Sequence, residues 1–204
     1  MNRFLSSTDT IDWESPRVRE LGLQLARDRE GPISIARACF EWVRDRIPHT
    51  ADYRLDPVTC SASEVLEHGT GFCYAKSHLL AALLRANGIP AGLVYQRLGG
   101  EDGSFCLHGL NAVWLAGWGW YRLDARGRRA DLTAEFAPPD ERLPYSASAP
   151  GEKLFPGVWA EPVAPVTHAL RSHRTCADLL EHLPDAEDLG TADVELQFVG
   201  SVRL

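Results

Sequence analysis

Cysteine is scarce in this sequence and follows no pattern. The 204 residues contain five cysteines, an odd number, and no pair has the two-residue separation of zinc and redox motifs. We therefore expect neither a disulfide framework nor a zinc ribbon. The first residues also lack the apolar core of a signal peptide. These absences together predict a soluble protein in the reducing cytoplasm.

An excess of basic residues is missing as well. The chain carries 21 Lys and Arg against 28 Asp and Glu, a formal net charge of -7. Nucleic-acid-binding proteins usually display a basic surface, so we expect no nucleic-acid partner. No apolar run is long enough to span a bilayer, and we expect no membrane partner either.

Motifs for cofactors and metals are not found. No glycine-rich segment ends in the Gly-Lys-Ser/Thr of a phosphate loop, and no Asp-x-Asp-x-Asp-Gly calcium loop occurs. Four metal-capable side chains near the C-terminus match no familiar zinc spacing: His168, His173, Cys176 and His182. We expect no cofactor and no metal.

The clearest element is an apolar helix in the middle of the chain. A glycine-rich turn ending at Gly71 precedes a run of Leu and Ala, which Gly88 and Pro90 close. So few polar residues interrupt this run that we expect a central, buried helix. Cys73 lies in its first turn, where free N–H groups and the helix dipole stabilise a thiolate. The alternative is an inert cysteine in an apolar core.

The elements before this helix are also predicted to be helical. Apolar spacing predicts helices over about 15–29 and 33–46, and a short one over 64–68. Residues 47–62 contain two prolines and no clear period, so we expect a long irregular connection. Such loops often line functional sites, and His49 could line a cleft in this way.

After the central helix the pattern changes to that of strands, over 92–97, 105–116 and 118–125. The last two are joined so closely that they must pair antiparallel. A turn centred at residue 116 would place His108 directly opposite Asp124, and a turn centred one residue later would make them a diagonal pair on the same face. Beyond Gly127 the chain is rich in Pro, Ala and Ser as far as about residue 165, and we expect irregular structure there. A helix over 176–182 and a final strand over 193–202 complete the prediction.

A cysteine, a histidine and an aspartate in this order are the groups that acyl transfer through a thioester requires. Residues 71–76, Gly-Phe-Cys-Tyr-Ala-Lys, and the apolar run after them resemble the nucleophile helix of the transglutaminase-like cysteine protease superfamily. Residues 108–115 and 120–124 resemble its histidine and aspartate strands. The resemblance covers about residues 33–127. Asp124 is followed by Ala-Arg-Gly instead of the commoner Pro-Thr, which leaves the branch of the family open.

The resemblance implies a papain-like α+β fold, in which the nucleophile helix packs on an antiparallel sheet. It implies Cys73 as the nucleophile, His108 as the general base and acid, and Asp124 as the carboxylate that orients the imidazole. We expect a single domain over residues 1–204, with the core at about 33–127 and an extension over about 128–204 packed on it.

The expected function is cleavage or transfer of an acyl group from a peptide or protein amide, with hydrolysis favoured over crosslinking. The Cys73 backbone N–H is the expected first oxyanion donor, and Tyr53 or Thr59 are candidates for a second. One alternative is a catalytically silent module that binds a peptide or protein in the same cleft. Another, arylamine-type acyl transfer, would need an acyl-CoA site, for which the sequence has no pattern. The sequence does not indicate the oligomeric state.

Overall fold

A computed structural model describes residues 1–127 and 134–196 of the protein. Helices fill most of the first half of this part of the chain, and strands follow. The helices are a 3-10 helix at Asn2–Leu5, α1 (Pro16–Ala26), α2 (Gly31–Arg46), α3 (Thr50–Tyr53), α4 (Ala62–His68), α5 (Cys73–Ala86), α6 (Ala164–Ser172) and α7 (Cys176–Glu181). The strands are β1 (Ala91–Gly99), β2 (Phe105–Leu115), β3 (Gly119–Leu123), β4 (Glu135–Ala137), β5 (Asp140–Arg142), β6 (Lys153–Leu154), β7 (Gly157–Val158) and β8 (Val194–Glu195).

The main sheet is antiparallel and has the strand order β3-β2-β1-β6. Two smaller pairs, β4 with β5 and β7 with β8, lie outside it. Helix α5 contacts β1 and β2 of the main sheet and also α1, α2 and α4. This arrangement of a central helix on an antiparallel sheet confirms the predicted papain-like α+β fold.

Helix α5 has no solvent-facing side over most of its length. Every residue from Cys73 to Arg85 is buried, which confirms the prediction of a central helix. The buried polar side chains are paired with backbone carbonyls, as burial requires. Lys76 donates to the Ile47 carbonyl, and the Arg85 guanidinium donates to three carbonyl groups. The helix that carries the cysteine is therefore held on all sides.

The register of the β2–β3 hairpin corresponds to the later of the two predicted turn positions. Asn111 pairs with Leu123, and Leu115 pairs with Gly119, so the turn is centred at Gly117, where φ is 86°. Direct opposition of His108 and Asp124 was therefore wrong, and the two form a diagonal pair. The reason is that the positive φ of Gly117 allows a turn one residue later than the apolar pattern suggested.

Other boundaries differ from prediction in identifiable ways. Helix α1 ends at Ala26, before the predicted residue 29, and the connection over 47–62 contains the single turn of α3. Helix α6 begins within the Pro-rich stretch for which the sequence predicts irregular structure, and the difference arises because proline is also common at the start of a helix. The final strand is short, and residues 197–202 of that prediction lie outside the described residues.

Among the described residues, no helix combines the length and apolar character that crossing a membrane requires. The largest cluster of buried apolar side chains joins α1, α2, α4, α5, the main sheet, α6 and α7. That the chain forms a single domain stays a prediction, and so does the role of the extension beyond residue 127.

Candidate active site

Cys73 is the first residue of α5 and is 7% exposed. The residue before it, Phe72, is the N-cap and makes no side-chain capping bond. The free N–H groups of the first turn are therefore not satisfied by the usual Ser, Thr, Asp or Asn side chain. The N–H of Cys73 is instead paired with a side chain from elsewhere in the chain.

His108 and Asp124 form a buried pair beside this helix start. The Nε2 atom of His108 lies 2.6 Å from Asp124 Oδ2, and the two residues are 5% and 2% exposed. Cys73 lies close enough to the His108 imidazole to contribute to raising its pKa, and both residues line the same cavity. Since Asp124 occupies Nε2, the nitrogen left for the thiol is Nδ1. The three residues that the sequence singled out are thus adjacent in the structure.

A glycine brings the helix start close to β2. A Cβ atom at Gly109 would lie 3.0 Å from Tyr74 Cδ1 and 3.2 Å from Tyr74 Cα, tighter than ordinary van der Waals contact. The Tyr74 hydroxyl also donates to the Leu107 carbonyl. Contacts on both sides of His108 therefore fix its strand against the first turn of α5.

The charges around His108 determine its protonation. Burial lowers the pKa of His108, but the negative charges and hydrogen bonds of Asp124 and Cys73 outweigh this and raise the pKa to about 10. The imidazole is therefore positively charged at neutral pH. An imidazolium next to the cysteine favours the thiolate, which is the nucleophilic form.

A second set of contacts joins the Asp124 side of the site to the loop after α2. Asp124 Oδ1 accepts a hydrogen bond from the Arg126 backbone N–H at 2.8 Å. The Arg126 guanidinium forms a two-bond ion pair with Asp52, with both distances 2.8 Å. Asp52 Oδ1 in turn lies 4.0 Å from Nδ1 of His49.

His49 completes these contacts on the other side of the cysteine. Its Nε2 atom accepts the Cys73 backbone N–H at 3.0 Å, so the expected first oxyanion donor is already paired. The two residues suggested as a second donor do not line the cavity at Cys73. Thr59 donates to the Thr70 carbonyl at 3.0 Å, and Tyr53 is 66% exposed and lines a different cavity. The sequence predicts His49 only as a residue that could line a cleft, because positions in an irregular loop carry no periodic signal that would orient the side chain.

Cys73, His49 and His108 line a cavity of about 440 Å³. Apolar side chains form much of its wall: Leu98, Leu107, Pro144, Leu180 and Leu183. The ring of Tyr145 packs edge-on against His108, with centroids 4.9 Å apart, and its carbonyl accepts a bond from the Gln96 side chain at 2.9 Å. The segment after residue 142 thus covers the histidine.

Other histidine and cysteine side chains lie in structural surroundings. His78 is buried on α5 and bonded to the Cys60 carbonyl at 2.7 Å. Cys106 lines the cavity, but burial, with a smaller contribution from Cys73, raises its pKa to about 11. Cys39 is buried in the core.

The structure brings together one cluster of metal-capable side chains that the sequence spacing had not indicated. His173, Asp178 and His182 each place a possible ligand atom within 4.8 Å of the others. The two imidazoles are stacked, with centroids 4.6 Å apart and planes 11° from parallel. Parallel rings direct their in-plane lone pairs along parallel lines, whereas ligands of one ion must converge on it. These residues do not suit a metal.

Fold and site together define a papain-like protein with a cysteine at the start of its central helix. A sequence profile of the transglutaminase-like superfamily matches residues 19–125, slightly more than half of the chain. The protein belongs to the transglutaminase-like superfamily. Members of this family are usually cysteine-dependent enzymes. Comparison with curated proteins finds no match.

Several solved structures are similar to part of the chain. A candidate cysteine protease from Cytophaga hutchinsonii is 21% identical with a TM-score of 0.49, over 60% of this chain and 40% of that protein. The periplasmic domain of TgpA from Pseudomonas aeruginosa is 25% identical with a TM-score of 0.47, over 60% of this chain and 45% of its own length. A candidate protease from Parabacteroides distasonis is 14% identical with a TM-score of 0.43, over 61% of this chain and 25% of that protein. The chain thus spans less than half the length of these structures.

Proposed function

We propose that the protein is a cysteine hydrolase that cleaves an amide bond of a peptide or protein through a thioester on Cys73. The observation that carries this proposal is the position of His108, which is hydrogen-bonded to Asp124 and lines the same cavity as Cys73. A nucleophile, a proton carrier and an orienting carboxylate are the parts that thioester chemistry needs.

In the proposed mechanism the Cys73 thiolate forms a bond to the amide carbon, and the carbonyl electron pair moves onto oxygen. When the tetrahedral intermediate collapses, the C–N bond breaks and His108 gives its proton to the leaving amine. Water then attacks the thioester and loses a proton to His108, and the acid product leaves with restoration of the thiolate. Asp124 keeps the imidazole oriented throughout.

Water is the proposed acyl acceptor because the cavity offers little to bind an amine. Among its described lining residues, the one acidic side chain is Glu152. Its two oxygens accept the backbone N–H groups of Gly99 and Ala149, each at 2.9 Å. A protonated amine acceptor, such as a lysine side chain, would have to compete for a carboxylate that is already engaged. The apolar leucines of the wall favour a substrate with an apolar side chain next to the scissile bond.

The first experiment is alkylation with iodoacetamide as a function of pH, read at each cysteine by mass spectrometry. Burial raises the pKa of Cys39 to about 12 and that of Cys106 to about 11, so these thiols serve as unreactive internal controls. We expect Cys73 to be alkylated faster than the other cysteines at neutral pH, because the thiolate is the reactive form, and His108→Ala to remove this reactivity. The matched control is His168→Ala, which replaces an exposed histidine.

The assay has a clear negative outcome. If Cys73 reacts no faster than Cys106, or if His108→Ala leaves its rate unchanged, the catalytic proposal fails. Where reactivity is present, incubation of a peptide library with and without a primary amine distinguishes the acceptors. New carboxylates in both samples support hydrolysis, and amine adducts would instead indicate crosslinking.

One observation favours the alternative of a silent binding module. The Cys73 N–H, which should be free to stabilise an oxyanion, is bonded to His49 in the structure. A module of this kind would retain peptide binding in the cavity without Cys73 reactivity, which the same alkylation experiment detects.

A cytoplasmic location is also a proposal, supported by five cysteines that are all free thiols.

A further inference from the structure

His49 occupies the place where an oxyanion would be expected. The oxygen of a tetrahedral intermediate should lie within hydrogen-bond distance of the nucleophile's backbone N–H. That N–H instead points at Nε2 of His49, 3.0 Å away. The imidazole is 6% exposed and packs edge-on against Phe72, with centroids 5.7 Å apart. A ring nitrogen thus lies where substrate chemistry needs an acceptor oxygen.

The simplest explanation is that His49 caps the helix. Helix caps, however, are usually short oxygen-bearing side chains that bond the second or third helical N–H, whereas His49 bonds the first. A cap also needs no contact with the substrate cavity, yet His49 lines the cavity at Cys73. A titratable ring in this position can do more than accept one bond.

The position of the proton on His49 decides what the Cys73 N–H meets. While Nε2 accepts the Cys73 N–H, a neutral ring carries its proton on Nδ1, which lies 4.0 Å from Asp52 Oδ1. A proton on Nε2 instead would turn this nitrogen from an acceptor into a donor. With Nε2 protonated, the imidazole no longer accepts the Cys73 N–H. Two donors then face one point, and an oxygen with two lone pairs can bridge them.

We propose that His49 is a catalytic residue whose Nε2–H, together with the Cys73 N–H, holds the oxyanion of the tetrahedral intermediate. The proposal rests on the proposed function. When the sulfur–carbon bond forms, the carbonyl electron pair moves onto oxygen, and this oxygen accepts one hydrogen bond from each donor. His49 transfers no proton, because His108 supplies the proton to the leaving amine. Collapse of the intermediate restores the carbonyl, and His49 can return to the Cys73 N–H.

The structure provides room for the required movement. An oxygen about 2.9 Å from each of two nitrogens separates them by about 4 Å, so the imidazole must retreat by about 1 Å. A second cavity, of about 620 Å³, lies against His49 and is lined also by Asp52 and Arg126. The ring can shift toward it while remaining close to Asp52.

The test compares two reactions at the same cysteine. Alkylation by iodoacetamide displaces iodide without an oxyanion, whereas acetylation by p-nitrophenyl acetate passes through one. We expect His49→Ala to leave the alkylation rate of Cys73 unchanged and to lower its acetylation rate by ~10² or more, the usual effect of removing one oxyanion donor. His49→Gln should restore much of the acetylation, because its amide can both accept the Cys73 N–H and donate to the oxygen.

The outcomes separate this inference from the proposed function. If His49→Ala lowers the acetylation rate without lowering the alkylation rate, and His49→Gln restores acetylation, the inference is supported. If His49→Ala lowers alkylation and acetylation equally, His49 acts on the thiolate or on the helix start, and the inference is wrong. If the wild type is acetylated and both variants match it, the inference fails and the proposed function stands. If Cys73 of the wild type is neither alkylated rapidly nor acetylated, both the inference and the proposed function fail. His168→Ala controls for replacement of a histidine as such.

Discussion

Lys76 provides a quantitative test of how the buried helix α5 tolerates charge. Its side chain is 1% exposed, and its ammonium group donates to the Ile47 carbonyl. Burial lowers the pKa of Lys76 from 10.5 to about 7, with nearby Asp124 acting in the opposite direction. We therefore expect Lys76→Met to stabilise the protein at neutral pH.

The magnitude follows from this lowered pKa. The unfolded chain binds a proton at this lysine up to about pH 10.5 and the folded chain up to about pH 7, so wild-type stability rises with pH between these values. At pH 7 the unfavourable contribution is about 4 kcal/mol. Loss of the bond to the Ile47 carbonyl offsets about 1–3 kcal/mol of the gain. The variant should therefore be more stable by about 2 kcal/mol at pH 7, and the difference should fall by about 2 kcal/mol by pH 9.

The measurement is urea unfolding of wild type and Lys76→Met at several values between pH 7 and pH 9. The chain has one other lysine, the exposed Lys153, and Lys153→Met controls for loss of a positive charge. We expect this control to follow the wild type. A difference between Lys76→Met and wild type that is the same at pH 7 and pH 9 would refute the reasoning.

Three further changes test the site and its supports. Asp124→Asn should slow both alkylation and acetylation of the nucleophile, because His108 loses the charge that holds it as an imidazolium, and equal rates in the variant would contradict this. Gly109→Ala should also slow alkylation, since the new methyl group presses on Tyr74 and moves the helix start from the histidine strand; a crystal structure of the variant would measure the displacement. Ser61→Ala removes the hydroxyl that accepts the Glu64 N–H at the start of α4 and should lower the free energy of unfolding by ~1 kcal/mol, as read by urea titration, with no change in alkylation.

The residues proposed for catalysis were accessible to sequence reasoning because they lie on regular elements. The all-apolar run and its glycines fixed α5 and placed Cys73 in its first turn. The spacing of His108 and Asp124 about the turn predicts that both lie on one face of the hairpin for either of two turn positions. The choice between those positions depended on the conformation of Gly117, which local pattern does not determine.

The other side of the site could not be predicted in this way. Asp52 and Arg126 are 74 residues apart in sequence, and His49 lies on a loop with no period to orient it. Contacts of this kind depend on how a loop packs on the finished fold, so only the tertiary structure brings them together. The same reasoning explains why Tyr53 and Thr59, which are on the same loop, were poor choices for an oxyanion donor.

Arg126 bonds one aspartate through its backbone and another through its side chain, and this has a consequence for engineering the protein. Its backbone N–H bonds Asp124, while its guanidinium bonds Asp52. Any side chain other than proline at position 126 retains the first bond and can omit the second. A library of variants at this one position would therefore change the contacts of Asp52 and His49 while Asp124 and His108 keep their geometry. The two sets of contacts could then be optimised one after the other.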